Sequence, residues 1–80
     1  MSRKKKIDKN PPLDEWQKAW YGDNPTFIVY EKWRNGFECV SRHPYPTKQR
    51  MESWAKFCES LSAIVDYEVI YKGNVYYSKG

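Results

Sequence analysis

Eighty residues, 40% of them apolar, allow one domain with a shallow core, and no stretch reaches the ~18 consecutive apolar residues of a membrane span. The net charge of +4 belongs to the first ten residues, where Arg3, Lys4, Lys5, Lys6 and Lys9 outnumber the single acid Asp8; residues 11–80 carry nine charges of each sign. Two cysteines are too few for the disulfide framework of a small secreted scaffold, and no apolar run follows the basic start, so a cytoplasmic chain with free thiols is expected, or a nuclear one in a eukaryote.

Residues 1–11 lack apolar periodicity and run into Asn10-Pro11-Pro12, which reads as a disordered basic arm ahead of a single small domain over 12–80. Pro12 suits a first helical turn, and Asp14 and Glu15 suit the positive end of the helix dipole. Leu13, Trp16, Trp20 and Tyr21 then form one stripe, and Gly22 with Asp23-Asn24-Pro25 stops it, so the spacing predicts a helix over 12–21. Ten residues do not hold a helix alone, so this one must dock.

Thr26–Trp33 is β-branched and aromatic, and Phe37–Arg42 follows Asn35-Gly36, a hairpin signal. A three-residue loop, Arg34-Asn35-Gly36 with Gly36 left-handed, sets Lys32 opposite Glu38 and places Phe27, Val29, Trp33, Phe37 and Cys39 on one face. His43-Pro44-Tyr45-Pro46 is expected to be extended, because a residue before proline avoids the helical region. With Thr47 as N-cap, a helix over 47–64 is expected. Its stripe is Met51, Trp54, Cys58, Leu61 and Val65, widened by Ala55, Phe57 and Ile64. Glu52 and Lys56 are spaced for an ion pair on the polar side. Trp54, at the centre of that stripe, is expected to be the core anchor whose truncation unfolds the domain. Tyr67–Tyr71 and Val75–Ser78, joined through Lys72-Gly73-Asn74, read as a second hairpin with Tyr67, Val69, Tyr71, Val75 and Tyr77 on one face. The element order is α-ββ-α-ββ, an α+β domain with a mostly antiparallel sheet packed on the long helix.

The chemistry-bearing residues are sparse. One histidine and two separated cysteines give no metal-ligand spacing, no phosphate-cradling glycine loop is present, and Cys58 sits in an apolar stripe without an orienting partner. No cofactor, metal or catalysis is therefore expected. The second sheet face would carry Tyr30 and Tyr76 among basic side chains, Lys32, Arg42 and Lys72, a pattern on which bases stack and phosphates are neutralised. The N-terminal helix, through Leu13, Trp16 and Trp20, is expected to cover that face instead. Arg3, Lys4, Lys5 and Lys6 are candidate phosphate contacts, a localisation signal, or a solubilising tail. The balance favours a binding protein engaging a larger protein as inhibitor or adaptor, with weak single-stranded nucleic-acid binding as the alternative and no membrane role. No family motif is present; in size, aromatic richness and charged tail the chain resembles short accessory proteins encoded by phages.

Overall fold

The computed structural model describes residues 7–79. Helix α1 (Glu15–Tyr21) is followed by strands β1 (Thr26–Trp33) and β2 (Glu38–Pro44), helix α2 (Lys48–Ser60), and strands β3 (Ile64–Tyr71) and β4 (Asn74–Ser78). The strands form one antiparallel sheet in the order β2-β1-β3-β4, with α2 packed across β1, β3 and β4. The expected α+β class and the α-ββ-α-ββ order are both present.

The first hairpin has the register that hydrophobic patterning required. Lys32 pairs with Glu38, the Trp33 amide donates to Phe37 O (2.7 Å), and Gly36 sits at φ 92°, where a side chain would be strained. Phe27 and Val29 are fully buried and Trp33 packs beside them, but Phe37 is exposed, because it lies in the loop just before β2 begins. The second hairpin closes on two residues, Lys72 (φ 52°) and Gly73 (φ 78°), whose left-handed backbones match the twist of the strands. A bulge at Tyr76 lets Val69 face Tyr77 while Ile70 faces Val75. Val75 therefore leaves the face that it was expected to share with Tyr67 and Val69.

Helix α2 starts where its cap dictates: the Thr47 side chain accepts from the Arg50 amide (3.2 Å). It ends four residues before the expected end. Leu61 is extended (φ −99°, ψ 111°), and Ile64 and Val65 enter β3. Pairing of Ile64 with Trp33 keeps Ile64 fully buried, now from a strand, and the bulge at Val65 returns Tyr67 to the same face while Val65 is exposed. The core is thus Phe27 and Val29 of β1, Ile64, Tyr67 and Val69 of β3, and Met51, Ala55 and Cys58 of α2. Trp54 packs on the border of this cluster rather than at its centre. Among the described residues the ion pairs are Lys9–Glu68 (3.3 Å) and Lys18–Glu15 (3.4 Å), so the expected Glu52–Lys56 pair is not formed.

Helix α1 is shorter than the spacing predicted. Its capping interaction begins at Asp14, whose amide donates to Gln17 Oε1 (3.0 Å), and the Gly22 amide closes it on Lys18 O (2.9 Å). Of its apolar stripe only Tyr21 is buried.

Candidate functional site: exposed aromatic surfaces

The second face of the sheet is covered, though not by the tryptophans. Ile28, Tyr30 and Ile70 are buried there. Lys9, Pro11 and Tyr21 reach this face through polar contacts. The Lys9 ammonium stands 4.2 Å above the Tyr30 ring and pairs with Glu68, and Arg42 donates to Pro11 O and to Thr26 Oγ1 (3.1 Å). The Tyr21 hydroxyl donates to Arg42 O (3.1 Å). Residues 7–11 of the expected arm therefore lie along the sheet. Trp16 and Trp20, expected to bury themselves here, are exposed instead, and Tyr21 is the side chain of α1 that is buried against the sheet.

The candidate binding residues are dispersed by this arrangement. Arg3, Lys4, Lys5 and Lys6 lie outside the described residues. Tyr30 is 3% exposed, its phenol donating to the Glu38 carboxylate; burial, reinforced by that bond, raises its pKa far above the ordinary tyrosine value. Lys32 is exposed between Glu38 and Asp66, its neighbours on β2 and β3. Arg42 and Lys72 line one recess together with Ile28 and Ile70, but the Arg42 guanidinium is already committed to Pro11 and Thr26. Tyr76, carried by its bulge, stands 6.0 Å from Tyr71, whose ring packs on the opposite, core side and lies 5.4 Å from the Lys72 amine. Tyr30 and Tyr76 thus do not form one aromatic platform.

Two other surfaces leave large rings in solvent. On α1, Trp16 and Trp20 are 61% and 76% exposed, one helical turn apart. At the corner where β2 leads into α2, Tyr45 is 65% exposed at φ 60°. A residue before proline is expected to be extended, and Pro46 follows Tyr45. Instead it adopts the left-handed conformation, and Thr47 N–H donates back to Tyr45 O (2.8 Å), closing the turn into α2. The Arg50 guanidinium lies 5.7 Å from the Tyr45 ring. Trp54 stacks on His43 (4.3 Å) and meets Phe57 edge-on (5.7 Å), and the ledge is open above them. His43 also bonds Ser41 Oγ (2.8 Å) and packs on Phe27; burial first, then Arg50, lowers its pKa. Spacing alone could not find this corner, because its rings come from a turn and from the flank of a helix stripe.

One polar cluster lies inside the core. The buried Glu31 carboxylate accepts from Trp33 Nε1 (3.2 Å), Cys39 Sγ (3.5 Å) and Cys58 Sγ (3.8 Å). Burial and the nearby carboxylate raise both thiols, Cys58 to about 12, so neither is a ready nucleophile. Among the described residues no group of three or more His, Cys, Asp or Glu side chains is placed to hold a metal ion, and no helix is long and apolar enough to cross a membrane. Set against protein-family models, curated proteins and solved structures, the chain matches none of them.

Proposed function

We propose that this chain is a non-enzymatic protein-binding module, of inhibitor or adaptor type, that anchors itself in a larger protein through Trp16 and Trp20. The observation that carries this reading is the exposure of both indoles on one face of a helix fixed to the sheet by Tyr21. Tryptophan is the residue most enriched among interface anchors, and two rings one turn apart fit the helix-in-groove mode of recognition. Because Tyr21 and the Gln17–Asp14 contact already order α1, less conformational freedom is lost on docking. Asp14, Glu15 and Asp23 outnumber Lys18 around the indoles, so the complementary groove is apolar with a basic rim.

The test compares the wild-type chain with Trp16→Ala/Trp20→Ala in co-purification followed by size exclusion of the reconstituted complex. The double variant melts like wild type, since little buried area is lost, and fails to hold the partner. A partner retained by the double variant removes this reading. So does a preparation in which nucleic acid co-purifies and no protein does.

A further inference from the structure

We infer that the corner between β2 and α2 is a second binding site, for single-stranded nucleic acid: one base stacks on Tyr45, the next on Trp54, and the phosphate between them meets Arg50. The backbone supplies the first argument. Tyr45 is non-glycine, bulky, precedes a proline and still sits at φ 60°. Glycine or asparagine would hold that conformation more cheaply, and Tyr45 buries little surface in return. Strain retained at an exposed ring points from conformation to use.

The neighbours supply the second argument. Arg50 reaches the Tyr45 ring and lines the same recess as Trp54, with Gln49 and Ser53 at its edge. Arg50 and Trp54 are four residues apart on α2, which puts both on one flank of the helix. Trp54 is braced from below by His43 and from the side by Phe57, so its indole is held as a platform. The ledge offers flat ring faces and one guanidinium but no deep apolar pit, which suits stacked bases better than the anchor side chain of a peptide. Between Tyr45 and Phe57 the chain carries three basic residues, Lys48, Arg50 and Lys56, and one acid, Glu52, whereas the rest of residues 11–80 carries six basic and eight acidic residues. This site shares its ligand class with the sheet face suggested by sequence but none of its residues. It is also separate from α1.

The full chain is titrated at low and raised salt with a labelled thymidine oligonucleotide and a uridine oligonucleotide of about ten nucleotides, within the range of one small binding fold. A duplex of the same length, an acidic peptide and inorganic phosphate serve as comparators. Binding is read by anisotropy and by the NMR shift of the Trp54 indole N–H. Tyr45→Gly is the informative variant, because glycine fits φ 60° and the fold is kept while the ring is lost. The expected result is single-strand binding that weakens with salt and falls about ten-fold or more in Tyr45→Gly. Arg50→Ala weakens binding and lowers the salt slope by about one ion. Trp16→Ala/Trp20→Ala leaves it unchanged. The inference is overturned by no binding at low salt, by equal binding of the duplex, or by preference for the acidic peptide. It is equally overturned if Tyr45→Gly and Arg50→Ala bind like wild type while deletion of residues 1–6 abolishes binding.

Discussion

Tyr45 and Trp54 stand a few residues apart and mark two different energetic situations. The left-handed backbone of Tyr45 costs about 1–2 kcal/mol for a residue with a Cβ, and its ring recovers little by burial. Tyr45→Gly therefore keeps or raises stability by up to about 1 kcal/mol, while Tyr45→Val, branched at Cβ, lowers it by about 1 kcal/mol or more. Chemical denaturation of the two variants checks the order; a valine variant as stable as the glycine variant contradicts it. Trp54 rests on His43 and borders the core without filling it. Its truncation costs about 2 kcal/mol, less than the 3–5 kcal/mol of a fully enclosed ring, so Trp54→Ala melts cooperatively at lower temperature. Phe27→Ala removes a ring with no exposed surface and leaves a domain of about 5 kcal/mol total stability largely unfolded. The role expected of Trp54 thus belongs to Phe27, and calorimetry of the pair separates them.

At the scale of elements, α2 is held by its cap and by Met51, Ala55 and Cys58 in the core, whereas α1 hangs on one buried residue. Thr47 caps α2, and Thr47→Ala should cost about 1 kcal/mol by thermal denaturation, because the Arg50 amide loses its acceptor. Helix α1 has only seven residues and cannot persist alone; Tyr21 is its one buried side chain. Tyr21→Ala should release α1 while the sheet and α2 stay folded, seen as fast hydrogen exchange confined to residues 14–22. Uniform acceleration across the sheet would mean that α1 is integral to the core. The hairpins were legible in sequence because turn chemistry and two-residue alternation agree at Asn35-Gly36 and Lys72-Gly73. The C-terminus of α2 was not, because Ile64 suits a helix stripe and a strand equally, and only pairing with Trp33 selects the strand. The tryptophans of α1 have the spacing of a buried face, yet Tyr21 rather than either indole finds a partner on the sheet.

For the whole molecule, the buried titratable groups bound the pH range of the fold. Tyr67, its hydroxyl donating to Glu59 (2.9 Å), is raised by burial and that bond to about 12, Cys58 is raised to about 12, and Tyr30 is raised as well. Each is neutral in the fold, so its contribution is complete below its ordinary value, 9.0 for the thiol and 10.0 for the phenols, and is lost as pH climbs toward the folded value. His43 works in the other direction: its lowered value gives a contribution present above 6.5 and lost as pH falls below it. Stability measured by denaturation against pH should therefore hold a plateau between about 6.5 and 9 and fall on both sides. Titration of the Tyr67 phenol itself near 10 in a still-folded protein, followed by its own NMR resonances, would contradict the alkaline limb.

From the chain alone came the α+β class, the order of the elements, the loop of the first hairpin and the neutrality of the body. All of these follow from local spacing, turn residues and charge counts, which act over a few neighbours. The tertiary structure decided which rings are buried. Burial depends on where the N-terminal segment crosses the second face, on bulges at Val65 and Tyr76, and on the offset of α2 from the edge strand β2. Those are competitions between segments distant in sequence: Lys9 with Glu68, Arg42 with Pro11, and Tyr21 with the backbone of β2. Tyr30 is buried as a covered second face requires, but beneath the N-terminal segment and not beneath the indoles, and Trp54 is half-buried at the border of the core. The exposed aromatic surface came to lie on α1 and at the Tyr45 corner, since no local pattern records which of two apolar faces a distant segment will cover.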